Sequence, residues 1–376
     1  MMEIPILTQT TNGYTANGHA DAALHQRRKS RRVMIGNIPV GDGAPISVQS
    51  MTKTKTGDVD ATVAQIARME EAGCDIARVT VNDWEAAEAI GEIVKQSNIP
   101  IVADIHFNHV FALKAIEGNV AKVRLNPGNI GKIERIHEVL GKAKEKNIPI
   151  RIGVNSGSLE KDILDKHGYP TAEALYESAM RHVHICEDFD FPNVIISVKS
   201  TDVRLMIDAY RLIAKRTDYP LHLGVTEAGT TRVGSIKSAV GIGTLLADGI
   251  GDTIRVSLTD EPEKEVETGK EILRTLGLTS RNVEIIACPT CGRLEIDLFK
   301  VTRELEAAVA HIKKPVKVAL LGCVVNGPGE ASEADIGIAA GKGVGILYRK
   351  GVMIRRIKEE DIVSTLIEEV TNFGNA

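Results

Sequence analysis

The sequence predicts an α/β chain in two parts, a (β/α)8 TIM barrel followed by a small α+β domain. Three observations point there. From about residue 45 one phrase recurs eight times: a short apolar, β-rich run, a polar turn, then a stretch with helical spacing. The repeats fill roughly 240 residues, about what a closed barrel needs, with an open doubly wound sheet as the alternative. At "LTSRNVEIIACPTCGR" the repeat stops and the order becomes strand, helix, strand, loop, strand, strand, helix. The expected divisions are a polar, mobile N-terminal arm over residues 1–30, the barrel over 31–282 and the small domain over 283–376.

Taken in order, the strand runs are "PISVQSM", "IARVTVN", "IPIVADIHF", "AKVRLNPG", "IPIRIGVN", "NVIISVKS", "PLHLGVTEAG" and "DTIRVSL", starting near 45, 76, 99, 121, 148, 193, 220 and 252. Apolar and β-branched residues fill their centres, as parallel strands buried on both faces require. The intervening segments are amphipathic. In "DVDATVAQIARMEEAG" (58–73) Val63, Ile66 and Ala67 mark the apolar side and Gly73 the stop; "IERIHEVLGKAKEKN" and "VETGKEILRTLG" read the same way.

Charge excludes some functions. With 46 basic and 50 acidic residues interspersed, the net charge is -4, which gives no nucleic-acid or membrane face beyond "RRKSRR" at 27–32, expected to be a solvated arm. No apolar run approaches the roughly 20 residues that span a bilayer, and the first residues lack a secretory signal, so a cytoplasmic protein is expected. Five cysteines are too few for a disulfide framework, and clustered cysteines in a reducing setting point to a metal. Cys74 and Cys186 stand apart and read as core filler. "GIGTLLADGIGD" (241–252) lacks dinucleotide-loop spacing and leads into a strand, so it reads as helix packing and a turn.

A barrel places its chemistry at the C-terminal ends of its strands. There the sequence sets Asp104 and His106 (strand three), Arg124 and Asn126 (four), Arg151 and Asn155 (five) and Lys199 (six). His222 and Glu227 follow on strand seven, and Arg255 and Ser257 on strand eight. Charged side chains inside apolar strands are costly unless paired or bound to a ligand. Four cations, Arg124, Arg151, Lys199 and Arg255, face only Asp104 and Glu227, which points to a strongly anionic ligand such as a phosphate or diphosphate. Lys53 and Lys55, in "MTKTKTGD" after strand one, extend that patch or are simply solvated.

In the small domain Cys288 and Cys291 form C-x-x-C at one strand end, and Cys323 closes the next strand at "LLGC". A redox dithiol or a zinc site remains open for these three. Three thiolates with the fourth ligand missing suit a 4Fe-4S cluster with one iron kept available. Glu330, seven residues past Cys323 in "CVVNGPGE", is placed for an exchangeable oxygen ligand, with the "NGPG" turn folding it back.

The motifs "VQSMT", "VADIHF", "RLNPGNIG", "RIGVNSGSLEKD", "HLGVTEAG", "GIGDTIRVSL", "ACPTCGR" and "GCVVNGPGE" closely resemble those of the bacterial 4-hydroxy-3-methylbut-2-enyl diphosphate synthases, in order, over roughly residues 30–370. The resemblance implies a barrel joined to an iron-sulfur domain, without the extra central domain of plant-type members. It implies reductive ring opening and dehydration of 2-C-methyl-D-erythritol 2,4-cyclodiphosphate, in the non-mevalonate route to isoprenoid precursors. By it, Cys288, Cys291, Cys323 and Glu330 are cluster ligands, while Arg124, Arg151, Asn155, Lys199, Arg255 and Ser257 bind diphosphate. Asp104, His106, Glu227 and Asn326 then lie near the reacting carbons. Lys55 or Lys53 stands in for an arginine that some members carry after strand one. The resemblance also implies reduced flavodoxin or ferredoxin as the electron donor and a head-to-tail homodimer in which one cluster domain caps the other barrel. The rival readings are a cluster-bearing hydro-lyase that uses no reductant and a zinc-ribbon appendage on a phosphate-binding barrel.

Overall fold

The structure is a computed structural model, which describes residues 26–279, 283–312, 314–323 and 327–374. The chain divides into a barrel unit ending at Thr279 and a smaller unit from Ser280 onward. No helix among the described residues is long and apolar enough to cross a membrane.

The barrel unit begins with a hairpin, β1 (Val33–Ile35) and β2 (Ile38–Val40), turned on Gly36 at φ +59°. Eight parallel strands follow: β3 (Ser47–Met51), β4 (Ile76–Thr80), β5 (Ile101–Asp104), β6 (Lys122–Arg124), β7 (Ile150–Asn155), β8 (Val194–Lys199), β9 (His222–Leu223) and β10 (Thr253–Ile254). They pair in the order β8-β7-β6-β5-β4-β3-β10-β9, and a parallel bridge from Ile196 to Leu221 joins the two ends. The eight runs read from the sequence are these strands. Around them lie α1 (Val59–Glu71), α2 (Trp84–Gln96), α3 (His109–Glu117), α4 (Ile133–Glu145), α5 (Lys161–His167), α6 (Ala172–Asp188), α7 (Val203–Arg216), α8 (Thr231–Ala247) and α9 (Pro262–Thr275). Asp58, Asp83, Asn108, Thr171 and Asp202 begin five of these helices, each side chain accepting a first-turn amide N–H that the helix itself leaves unpaired.

The β1–β2 hairpin was not legible as a strand pair. Its Val33, Ile35 and Val40 pack on Ile76, Val102 and Ile195, near the N-terminal ends of β4, β5 and β8, in a cluster separate from the main core. The arm before it corrects two expectations: it is held from Arg27 onward, and "RRKSRR" is not a solvated run. Arg27 donates to the Ala44 carbonyl at 2.6 Å, Arg28 to the Thr217 and Tyr219 carbonyls at 2.6 and 2.5 Å, and Arg31 stacks 3.8 Å from the Tyr219 ring centre and pairs with Asp218. The carbonyls at the ends of barrel elements offer acceptors that a charge run cannot reveal. Residues 1–25 of the arm lie outside the described residues.

The smaller unit is a five-stranded mixed sheet, β11 (Glu284–Ala287), β12 (Lys317–Leu321), β13 (Ile336–Gly341), β14 (Val344–Arg349) and β15 (Val352–Lys358), in sequence order. The first three are parallel and the last two antiparallel. Alternate residues face opposite sides: Val318 and Leu320 share a core with α10 (Leu298–Val309) and α12 (Ile362–Asn372), whereas Leu321 and Ala339 pack with Ala331 of the short helix α11 (Gly327–Ser332). The sequence reading missed β15, where six of seven residues are exposed and no alternation marks a strand.

Candidate functional site

Register builds the site. Asp104 on β5 pairs with Arg124 on β6, and Arg124 with Arg151 on β7, so three charged residues form one cross-strand row on one face of the sheet. They line a cavity of about 140 Å³ together with Arg78, Lys199 and Arg255. His106, Gly153, Asn155, Ser197 and Thr226 complete its wall.

The cavity holds five cations against a single lining carboxylate. Asp104 Oδ1 lies 3.3 Å from Arg124 Nη1, and Oδ2 lies 3.8 Å from Arg78 Nε. Burial alone would raise the Asp104 pKa, but Arg78, Arg124 and Arg151 outweigh it and hold the carboxyl at about 2. Arg124 also donates to the Gly153 carbonyl at 2.9 Å, and Asn126 clasps Gly153 with two bonds, Nδ2 to its carbonyl at 3.0 Å and its amide to Oδ1 at 2.8 Å. Arg255 approaches Glu265 at 3.6 Å, and that buried carboxylate accepts the Ser50 hydroxyl at 2.6 Å and the Leu258 amide at 2.9 Å.

Two of the arginines keep N–H groups without partners. Arg151 is 1% exposed, and its Nε and Nη1 are buried with nothing to donate to, as is Arg255 Nε. Burial drives the Arg151 and Lys199 pKa values well down, and the neighbouring arginines push the same way. Such donors call for an anion: buried N–H groups without acceptors are costly, and arginine forks match phosphate oxygens.

The sequence missed two members of this set. Arg78, in the middle of "IARVTVN", lines the cavity and touches Met51 Sδ through Nε at 3.1 Å; Glu265 comes from helix α9. The interior position of Arg78 was legible only through the pairing of Met51 with Arg78. Other candidates lie elsewhere. Ser257, Glu227, Lys53 and Lys55 are not among the lining residues. Glu227 is exposed at φ +50°, next to the lining residue Thr226, and Lys53 reaches Glu261 at 3.9 Å. His222 begins β9 deep in the barrel, not at the rim, with both ring nitrogens buried and unpaired. Cys74 and Cys186 are buried in the main core, as expected of filler.

In the smaller unit the parallel pairing of Ala287 with Leu320 brings Cys288 and Cys323 to the same edge of the sheet, one past the end of β11 and one just past β12. Gly322 donates its amide to Cys288 Sγ at 3.4 Å. Cys291 is exposed in the turn after β11, its carbonyl accepting the Leu294 amide at 3.0 Å, and Glu330 is exposed on α11. Among the described residues no three His, Cys, Asp or Glu side chains already stand as a metal-binding group. The donor set itself, three thiols on loops beyond adjacent strand ends with one sulfur accepting a backbone N–H, has the chemistry of a soft-metal or iron-sulfur site. Asn326 lies outside the described residues.

Residues 30–270 match the GcpE TIM-barrel domain, and residues 284–372 match the GcpE protein C-terminal domain. A protein of Clostridium perfringens named 4-hydroxy-3-methylbut-2-en-1-yl diphosphate synthase (flavodoxin) is 58% identical over 342 residues, 91% of this chain and 98% of its own length. Proteins with the same name from Geobacillus thermodenitrificans and Clostridium acetobutylicum are 57% and 56% identical, each over 92% of this chain and over 92% and 99% of their own lengths. With both of its units matched in order, the chain belongs to the GcpE family.

Proposed function

We propose that this chain catalyses the reductive ring opening and dehydration of 2-C-methyl-D-erythritol 2,4-cyclodiphosphate to 4-hydroxy-3-methylbut-2-enyl diphosphate, the product that the names of its relatives carry. The observation that carries the reading is the cavity: five cations at the barrel's C-terminal end, with Arg151 Nε and Nη1 left without acceptors. Counted on the protonated acids, the reaction takes up two electrons and two protons and releases one water. The cyclic diphosphate supplies the oxygens that the arginines lack, and the product keeps its diphosphate on the same cations.

Arg78, Arg124, Arg151, Lys199 and Arg255 bind the diphosphate, with Asn155 on the wall between them and Ser257 just beyond it. Asp104 stays ionised in their midst and so fixes Arg78 and Arg124 in place. His106, exposed at the cavity wall, and Glu227, exposed beside it, give a proton to the departing hydroxyl in this reading. Asn326 belongs with them by the family motif, and Lys55 remains a candidate for the outer phosphate. Cys288, Cys291 and Cys323 would hold a 4Fe-4S cluster, with Glu330 as its exchangeable fourth ligand. When bound, that cluster supplies one-electron transfer from reduced flavodoxin, the donor printed in the relatives' names, or from ferredoxin. A barrel over 31–282, an iron-sulfur domain over 283–376, a homodimer and a cytoplasmic setting complete the reading.

The test is anaerobic purification, iron and sulfide analysis, and turnover of the cyclodiphosphate with reduced flavodoxin. On the order of four irons per chain and formation of the linear diphosphate are expected. A colourless, zinc-loaded protein, or turnover that needs no reductant, overturns the reading.

A further inference from the structure

Outside the cavity the barrel unit carries a second buried polar cluster, which ties two rim loops together. His182 on α6 is 3% exposed. Its Nδ1 accepts the Gly128 amide at 3.1 Å, and its Nε2 lies 3.0 Å from Glu160 Oε1. A backbone amide can only donate, so Nδ1 carries no proton; the neutral ring holds its proton on Nε2 and donates it to Glu160.

The two partners come from neighbouring loops. Gly128 sits in the single turn Pro127–Asn129 that follows β6, and Glu160 in the segment between β7 and α5. Two residues before Gly128 is Asn126, whose side chain clasps Gly153 of the cavity wall; five residues before Glu160 is Asn155, on that wall itself. The fit around the ring is close. A Cβ built on Gly128 would come within 2.7 Å of His182 Cε1. Glu160 Oε2 is buried without a partner, so this carboxylate is committed to the imidazole. Arg181, next to His182 on α6, is engaged by Asp162 through two bonds of 3.0 and 2.6 Å and does not take Glu160 away.

We propose that His182 is a positioning residue for the cyclodiphosphate pocket: by bridging Gly128 to Glu160 it holds the loops after β6 and β7 so that Gly153 and Asn155 stay on the cavity wall. The proposal rests on the substrate reading above. Leucine at this position fills the space but leaves the Gly128 amide and the Glu160 carboxylate without their partner. Glutamine carries an acceptor oxygen and a donor nitrogen on one side chain, so it can serve both.

The experiment titrates the full chain with the cyclodiphosphate by calorimetry, without reductant, for wild type, His182→Leu, His182→Gln and Gly128→Ala, with a thermal unfolding curve for each. Leucine should weaken binding about tenfold and raise KM by about the same factor, with kcat changed less. Gly128→Ala, which displaces the ring without removing it, should act in the same direction. Glutamine should restore binding to within about threefold of wild type. Wild-type affinity in folded His182→Leu, or in Gly128→Ala where leucine prevents folding, overturns the proposal, as does glutamine binding no better than leucine. The wild-type titration reports separately on the substrate reading, because a wild-type chain that ignores the cyclodiphosphate overturns that reading first.

Discussion

Asp104 and Arg124 stand opposite each other on adjacent parallel strands, Oδ1 to Nη1 at 3.3 Å, and Asp104 is the only carboxylate among the lining residues of a cavity with five cations. Its pKa of about 2 lies below the ordinary carboxyl value, so the folded state prefers the ionised form. The stabilisation is therefore fully present above the unfolded value of about 4 and is lost as pH falls from there through about 2. Asp104→Asn should cost on the order of 2 kcal/mol at neutral pH, and the gap to wild type should close between about pH 4 and pH 2. Denaturant unfolding across that pH range checks both the size and the window. A gap that is the same at both ends would show that the charge is not the cause.

Arg151 makes the opposite trade. It is buried with two N–H groups unpaired, and burial and its arginine neighbours both work against its charge. Arg151→Met removes that cost while filling similar space, so the ligand-free protein should be stabilised, by about 1–4 kcal/mol if it behaves as other buried ions do. Affinity for the cyclodiphosphate should fall by at least about tenfold, because a charge-assisted bidentate contact is lost. Paired unfolding and binding measurements decide this, and loss of both stability and binding would mean that Arg151 is a structural residue.

Gly153 offers a change aimed at geometry alone. A Cβ there would lie 2.7 Å from Arg124 Nε and 3.1 Å from its Nη2. Those atoms end a flexible side chain, so the fold can absorb Gly153→Ala with little loss, under about 1 kcal/mol. The guanidinium should shift away from the substrate while still reaching Asp104, raising KM several-fold while the melting temperature barely moves. An unchanged KM would show that Arg124 does not touch the ligand.

What the sequence could and could not reveal follows from where each interaction originates. The eight strands were legible because parallel strands buried on both faces must read as apolar runs, and Arg124, Arg151 and Arg255 because a charge inside such a run needs a reason. Arg78 lies inside its run in the same way and was missed; its pairing with Met51 identifies its face. Glu265 beneath Arg255, and His182 between Gly128 and Glu160, are contacts between separate elements. Their residue types carry no local pattern. Strand β15 escaped because an exposed edge has no alternation to read. The three thiols and Glu330 were legible as a donor set, although nothing in their spacing says how closely they approach.

The basic run at 27–32 gives a fourth test. Arg28 donates to two carbonyls, at 2.6 and 2.5 Å, approaches Asp252 at 3.7 Å and is mostly buried, with its pKa lowered by burial against the pull of Asp252 and Asp218. Arg28→Ala should cost about 1.5–3 kcal/mol, the range for a hydrogen-bonded charged group. Arg32→Ala, which loses only a 3.8 Å contact between half-exposed partners, should cost well under 1 kcal/mol, roughly the worth of a surface pair. Equal effects in urea unfolding would return the run to the solvated arm it resembles in sequence.

The five cysteines divide by environment, and the division predicts which of them would hold the proposed cluster. Burial pushes the Cys74 and Cys186 thiols up to about 12, and Cys74 is further tied to the Ile76 carbonyl at 3.2 Å, so neither is available as a thiolate. Cys291 is exposed and Cys288 partly so, its sulfur already accepting the Gly322 amide, as a ligand thiolate would. After anaerobic reconstitution, Cys74→Ser and Cys186→Ser should keep the wild-type iron content, while Cys288→Ser, Cys291→Ser and Cys323→Ser should each lose most of it together with turnover. Glu330→Ala separates binding from chemistry: an exchangeable ligand is dispensable for holding iron, so iron should largely remain while turnover falls. Iron analysis beside a turnover assay reads all six variants. Full turnover in Glu330→Ala would remove the glutamate from the site, and iron loss in Cys74→Ser alone would move the cluster out of the smaller unit altogether.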